Sequence, residues 1–331
     1  MAAVNKRNVN ILNILPGKTV KNCLFQTEGY KKGDIPAFHG EIFDADAGIP
    51  LDFRQNSRYN GVEQICEKGD TAMVIIDSTL CTGCGLCAEN CAVHAIVKNE
   101  DGTCRCNSGW CFACGQCVAI CPVGAPSMPE LEEPIPYDSG RFDLDPETLL
   151  NAMRFRRSIR RFTGEKASRR ELELLLEAGR CAPTSSNSQN VGFTVLDEEF
   201  ETMRPKIWES FARCARENGR KLLLRRYEHY LANPEAPDTL FYGGKQMIVV
   251  TSERPVDGGL ALANMELMAH ALGLGALYCG FATRAIDADP ELRACFGLTE
   301  TRKIDSCLIV GHTDLKFQRT APRNPPRAAW R

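Results

Sequence analysis

Charge of one sign is the first thing this chain of 331 residues lacks: 40 Lys and Arg stand against 42 Asp and Glu, a formal net charge of −2. A balance so close to zero offers no field that would draw the protein onto nucleic acid or an anionic membrane. Unbroken apolar runs are also missing. Asn8, Asn10 and Asn13 interrupt residues 1–20, where an export signal would need a continuous apolar core. The most apolar stretch, 258–281, contains Asn264, Glu266 and His270 and has glycines at both ends. It is expected to be a buried helix and not a membrane span, so the expected location is the cytoplasm. Histidine is scarce. The five are scattered, and none stands in a Cys/His/Asp arrangement suited to hydrolysis. No strand–glycine–helix dinucleotide fingerprint occurs either: Gly273 and Gly275 follow a helical stretch and lack the later acidic residue.

Cysteine is what the chain has in excess. Ten of its seventeen cysteines lie between Cys81 and Cys121. "CTGCGLCAENCAVHAI" starts at Cys81 and "CFACGQCVAICPVGAP" at Cys111, and both carry the spacing C-x2-C-x2-C-x3-C. Disulfides would need an oxidising compartment, which no export signal supports. Structural zinc commonly uses CxxC pairs, but seldom this run of four. Followed by Pro122, the run is the signature of iron–sulfur ferredoxins, in which three cysteines hold one [4Fe–4S] cube and the fourth reaches the other.

Residues 72–130 resemble a bacterial two-cluster ferredoxin, and the resemblance implies a ligand set. Cys81, Cys84, Cys87 and Cys121 would hold one cluster; Cys111, Cys114, Cys117 and Cys91 would hold the other. Gly83, Gly85 and Gly115 would let backbone amides approach the sulfides. Ala92 departs from the proline usual after the fourth cysteine of the first run. Cys104 and Cys106 lie outside the pattern, as free thiols of the connecting hairpin or as off-pattern ligands.

Past the Pro- and Glu-rich stretch 127–140 the texture changes. Asp145-Pro146 reads as N-cap and first helical residue, followed by Leu149, Leu150 and Met153 on one stripe. Ser168-x-x-Glu171 is a capping box opening a helix that carries Leu172, Leu175 and Leu176 and stops near Gly179. Asp289-Pro290 opens another. "GFTVLD", "QMIVVT" and "SCLIVG" read as short strands between helical stretches. This half is therefore α/β or α+β.

Three further motifs stand in order. "RFRRSIRRF" (154–162) packs five arginines around Ser158, either a solvated basic turn or a grip for phosphate and carbonyl groups. "APTSSNSQN" (182–190) is a loop of short polar side chains, and "KFQRTAPRNP" (316–325) supplies basic residues after a strand. Together, over residues 146–326, they resemble the FMN-binding elements of the nitroreductase family. The resemblance implies that Arg156, Arg157, Ser158 and Arg160 grip the FMN phosphate, ribityl chain and pyrimidine side. Pro183, Thr184, Ser185, Asn187 and Gln189 would arrive from a second subunit. Cys279 and Gly280, in "YCGFA", would lie beside flavin N5. Cys279 is either chemically active or a small filler of a semi-buried site. Arg319 and Arg323 would close the phosphate site, with Lys316 an alternative to either. Asn190 and Val191 depart from the family's Pro and Trp, on the substrate side.

The expected architecture is α+β, a nitroreductase-like FMN fold preceded by a two-cluster ferredoxin-like domain. Its parts are an extension (1–70), the ferredoxin domain (71–130), a linker (131–145) and the FMN domain (146–331). The extension contains a hairpin-like segment at 40–54. Residues 200–245 are expected to be a charged helical insertion over the flavin, with most of Trp208, Phe211, Tyr227, Tyr230, Phe241 and Tyr242 used in packing. A cluster moves single electrons and FMN delivers a hydride equivalent, so the expected activity is a relay into two-electron reduction of a small organic acceptor of nitro, quinone or enone type. The expected partners are a second copy of the chain and a reduced ferredoxin, or NAD(P)H. An oxidase, dehydrogenase or flavin-remodelling enzyme on the same fold is the alternative, and a non-catalytic electron carrier or redox sensor is another.

Overall fold

The computed structural model describes residues 74–331 apart from 108, 110 and 237. The expected extension, with its hairpin-like segment, lies outside the described residues. In the cysteine-rich segment, β1 (Ile75–Ile76) pairs antiparallel with β4 (Pro126–Ser127), and β2 (Ile96–Lys98) with β3 (Cys104–Cys106). Each cysteine run turns at a left-handed glycine before one short helix: Gly85 (φ 84) before α1 (Leu86–Glu89), Gly115 (φ 72) before α2 (Gln116–Ile120). Only glycine adopts that backbone without strain. Gly83 is restricted further, since a Cβ there would meet the Gly102 carbonyl oxygen at 2.5 Å. The small core here is Val74, Cys87, Ile96, Cys104 and Cys117. So few apolar side chains form a weak core by themselves, as expected of a unit this short.

The expected linker contains one helical turn, α3 (Ser139–Phe142), because Asp138 caps it by accepting from the Gly140 amide at 3.0 Å. Next comes α4 (Pro146–Phe155), capped as expected by Asp145, whose carboxylate accepts from the Thr148 amide at 2.8 Å. The capping box at Ser168 and Glu171 is present and opens α5 (Arg169–Arg180).

The larger domain is built on four antiparallel strands: β5 (Gly192–Leu196), β6 (Gln246–Ser252), β7 (Gly275–Tyr278) and β8 (Lys303–Gly311), in the order β5-β6-β8-β7. Every residue of β6 is buried. Strand side chains alternate between faces, and β6 divides accordingly. Ile248 and Val250 pack with Leu172 and Leu175 of α5 and with Leu262 and Met265 of α8 (Pro255–Ala271). Met247 and Val249 face α6 (Phe200–Glu217), α7 (Lys221–Ala232), α9 (Gly280–Asp287) and α10 (Pro290–Cys295). Two cores thus sandwich one sheet, the α+β architecture expected from the sequence. On the second face Trp208 stacks on Tyr230 at 4.9 Å and meets Phe211 edge-on at 5.2 Å. Trp208, Phe211 and Phe241 are buried, as packing residues should be.

The stretch 258–281 corrects an expectation. It is not one helix: α8 ends at Ala271 and the remainder enters β7. The stop is a hydrogen-bonded C-cap around Gly273 (φ 74), whose amide donates to His270 O at 3.1 Å while Leu274 N donates to Ala269 O at 2.8 Å. Apolar residues run through both parts, so apolar composition alone does not mark the boundary. Among the described residues, no helix is long and apolar enough to cross a membrane.

Candidate cluster and flavin sites

Pairing of β1 with β4 brings the end of the second cysteine run back beside the start of the first. Asp77 N donates to Ala125 O at 2.9 Å along this seam. As a result Cys81, Cys84, Cys87 and Cys121 line one concavity, walled by Ile76, Leu86, Val123 and Ala125. That is the set expected for one cluster, with Cys104 lining it as well. Cys91, Cys111 and Cys117 pack in the small core with Cys106, and Cys114 is exposed.

Backbone amides are aimed at several of these sulfurs. Cys104 N donates to Cys81 Sγ at 3.4 Å, Ala95 N to Cys91 Sγ at 3.2 Å, and Ala113 N to Cys111 Sγ at 3.3 Å. At Cys81 such a bond favours thiolate over thiol. The Gly83 amide, then that of Cys104, holds the Cys81 thiol below its ordinary pKa. Among the described residues no group of three or more His, Cys, Asp or Glu converges on a single metal ion. Soft donors with amides turned towards them fit a [4Fe–4S] cube.

Cys104 and Cys106 go to opposite sites. Burial, then Cys87, pushes the Cys104 thiol up to about 11. Burial, then Cys111, pushes Cys106 up to about 12. Sequence reading placed both in the hairpin but did not divide them between the two sites.

The arginine-rich segment runs beside the sheet. Ser158 bridges Ala276 of β7, and Ile159 N donates to Ala276 O at 3.0 Å. Arg156 Nη1 reaches Glu266 Oε1 of α8 at 2.6 Å, with 23% and 9% of the two side chains exposed. Arg157 and Ser158 are half-buried and Arg160 is exposed. Glu266 was legible only as an interruption of an apolar stretch; its role is to hold Arg156. Near this pair burial, then Glu266, raises the Tyr278 hydroxyl pKa, and that hydroxyl donates to Leu262 O at 3.0 Å.

Residues 184–189 form a turn with unusual backbone. Ser186, Asn187 and Gln189 have φ of 52, 51 and 48. Ser185 N donates to Asp257 Oδ1 at 3.2 Å, and Gln189 N donates to Thr184 Oγ1 at 3.0 Å. The buried Ser188 Oγ, Asn190 Oδ1 and Asp257 Oδ2 have no hydrogen-bond partner. Orphaned polar atoms on this turn, just after it and on the helix beneath it are what a polar ligand or a second chain would satisfy. Burial, then Asp257, is also felt by Asp305, whose carboxyl is pushed up to about 6 while Ser252 and Arg302 oppose the shift.

Cys279 is 5% exposed, and burial pushes its thiol up to about 11. Its neighbour Gly280 opens α9, so the Gly280 N–H has no intrahelical acceptor. Nothing lies within 4 Å of the position a Gly280 Cβ would take, leaving room for a flat ring to approach. Lys316, Arg319 and Arg323 lie exposed on chain without regular structure beyond β8, and Pro183 is exposed beside the 184–189 turn.

Comparison with known proteins follows the same division. The nitroreductase family model matches residues 153–312, and the 4Fe-4S binding domain model matches residues 74–97. A ferredoxin from Pyrobaculum islandicum is 39% identical over 52 residues, 16% of this chain; the chain thus spans about half of that relative, 49%. Among solved structures, a nitroreductase with bound FMN from Bacteroides fragilis is 24% identical, covering 55% of this chain and 98% of that one, with a TM-score of 0.46. A putative nitroreductase in complex with FMN from Desulfovibrio desulfuricans is 28% identical over 55% of this chain and 94% of that one, with a TM-score of 0.39. By the family models, then, residues 153–312 match the nitroreductase family, and residues 74–97 before them match a 4Fe-4S binding domain.

Proposed function

We propose that the chain is an FMN-dependent oxidoreductase in which two [4Fe–4S] clusters relay electrons to the flavin for reduction of a small nitro, quinone or enone acceptor. FMN supplies hydride-equivalent chemistry and the cubes supply single electrons. The observation that carries the reading is the convergence of Cys121 with Cys81, Cys84 and Cys87, in a chain whose next domain presents the arginine segment.

The chain's own residues divide the work. Cys81, Cys84, Cys87 and Cys121 form one ligand set, and Cys91, Cys111, Cys114 and Cys117 the other. Arg156, oriented by Glu266, acts with Arg157, Ser158 and Arg160 as the phosphate and ribityl grip. Lys316, Arg319 and Arg323 add positive charge to it. Gly280 offers a free N–H to the flavin ring. Pro183, Thr184, Ser185 and Gln189 come from a second copy of the chain. A reduced ferredoxin serves as donor, with NAD(P)H the alternative, and the enzyme works in the cytoplasm. The test is metal and flavin content followed by turnover. Anaerobically purified protein is expected to hold about eight irons, four per cube, with one FMN, and to reduce an acceptor panel from reduced ferredoxin. Two zincs per chain without broad visible absorption would overturn the ligand assignment.

Support for a homodimer comes from α4. Leu149, Leu150 and Met153 form an apolar stripe 37%, 44% and 42% exposed, with Phe155 37% exposed at the helix end. A patch of this kind marks an interaction surface. Leu150→Asp with Met153→Asp is expected to shift the protein to monomer in sedimentation and to weaken FMN retention, with the far-ultraviolet dichroism preserved. A dimer that survives both charges would place the interface elsewhere.

A further inference from the structure

The 184–189 turn is held from two directions. Below it, Ser185 N donates to the carboxylate of Asp257, a 3% exposed residue in the first turn of α8. Above it, the Asn187 side-chain amide donates to Phe112 O at 3.2 Å and to Ala113 O at 2.9 Å. Those carbonyls lie between Cys111 and Cys114, inside the second cysteine run. Both contacting loops carry left-handed non-glycine backbone, φ 51 at Ala113 and φ 51 at Asn187. Such backbone persists only where its surroundings over-determine it, and each loop is part of the other's surroundings.

The residue type suits this contact. Asparagine tolerates left-handed backbone better than most side chains, and its amide supplies two donors, one for each carbonyl. Aspartate would bring acceptors against acceptors. Among the described residues, no hydrogen bond joins the first run, 81–91, to residues 146–331, so this contact distinguishes the two runs.

We propose that Asn187 is a positioning residue that seats the second cysteine run on the 184–189 turn, so that the Cys111–Cys117 side of the module faces the flavin-binding segment. The second ligand set is then the exit side of the relay and the first set its entry. This rests on the reading above, in which the 183–189 segment contacts FMN. Asn187 itself is reassigned from holding the flavin to docking the cluster loop.

The experiment is amide hydrogen exchange on the full chain, purified anaerobically, with iron and FMN measured for each variant. Asn187→Gly relaxes the backbone but deletes the amide, and Asn187→Asp keeps the shape but repels the carbonyls. Both are expected to exchange about tenfold faster at 111–116 and at 184–189, within the range for loss of the amide's two hydrogen bonds, while 81–87 is unchanged. A spectroscopic readout accompanies it. After anaerobic addition of a reductant, the lag between bleaching of cluster and flavin absorbance should lengthen severalfold in both variants. Wild-type protection at 111–116 in both variants overturns the proposal. So does acceleration in Asn187→Asp alone, which is repulsion without a lost clamp, or equal acceleration at 81–87, which is general loosening. A wild-type protein without FMN would instead sink the flavin reading and leave the exchange result standing.

Discussion

Replacing both Arg156 and Arg160 by alanine is expected to give a protein that keeps its iron and loses its flavin. A charge-assisted hydrogen bond contributes about 1.5–3 kcal/mol. Two lost together weaken FMN binding by at least about a hundredfold, since 1.4 kcal/mol corresponds to a factor of ten. The structure adds a complication at Arg156. Its guanidinium is the partner of Glu266, and only 9% of that side chain is exposed. Arg156→Ala therefore strands a buried carboxylate, a change that typically costs about 3–5 kcal/mol of stability. Glu266→Gln in the same background separates the two effects, because it removes the stranded charge without restoring the grip. Iron and FMN content and the unfolding temperature of the single, double and triple variants make up the measurement. Stoichiometric FMN in the double variant would show the grip to lie elsewhere. Recovery of FMN by Glu266→Gln would mean that the arginines act through stability and not through contact.

The largest effect on stability is expected from Asp238→Ala. This carboxylate is 4% exposed and receives four donors. Leu240 N and Phe241 N donate to Oδ1 at 2.9 and 2.5 Å, while Arg204 Nε and Trp208 Nε1 donate to Oδ2 at 3.0 and 3.3 Å. Trp208 is fully buried, so its indole N–H finds no water when the acceptor is removed. Truncation leaves that donor, two backbone amides and Arg204 Nε without their acceptor, while Arg204 Nη1 keeps Glu201 at 3.1 Å; the broken pair costs about 3–5 kcal/mol. At about 2–4 °C per kcal/mol for a domain of this size, the unfolding midpoint should fall by about 6–20 °C. Asp238→Asn keeps one acceptor oxygen and should fall between the two. The damage should also reach the flavin site. Leu240 O accepts from Cys279 Sγ at 3.5 Å and Tyr242 O accepts from Phe162 N at 3.1 Å, so the Asp238 turn braces the strand end before Gly280 and the end of the arginine segment. A midpoint within 2 °C of wild type, well short of the fall expected from the lost pair, would contradict this account.

Features that depend on near neighbours were legible beforehand. The caps at Asp145, Ser168 and Asp289 each bind an amide two or three residues away, so a short window of sequence contains both partners. The strands at 192–196 and 246–251 and the 306–311 part of β8 were legible from their apolar and β-branched runs, and 303–305 was not. The boundary between α8 and β7 was not, because the apolar residues continue through it and the turn depends on left-handed backbone at one glycine among several. The Cys-x-Cys of β3 was seen as a hairpin. Its division between two sites required the pairing of β2 with β3 and the seam between β1 and β4.

What the sequence determined by itself is the chemistry available: two cysteine runs with cube-ligand spacing, a basic segment around Ser158, a polar turn at 182–190, and the helix caps. Spacing and residue type suffice there, because soft thiolates, guanidinium forks and capping oxygens keep their preferences wherever the chain places them. The tertiary structure decided which of these groups meet. Cys121 joins Cys81 across the β1–β4 seam, Glu266 holds Arg156 from 110 residues away, and Asn187 reaches Phe112 and Ala113 from 75 and 74 residues away. Partners so distant in the chain are selected by how two cores close on one sheet. That depends on many small packing terms summed over the whole domain, and no single stretch of sequence contains the sum.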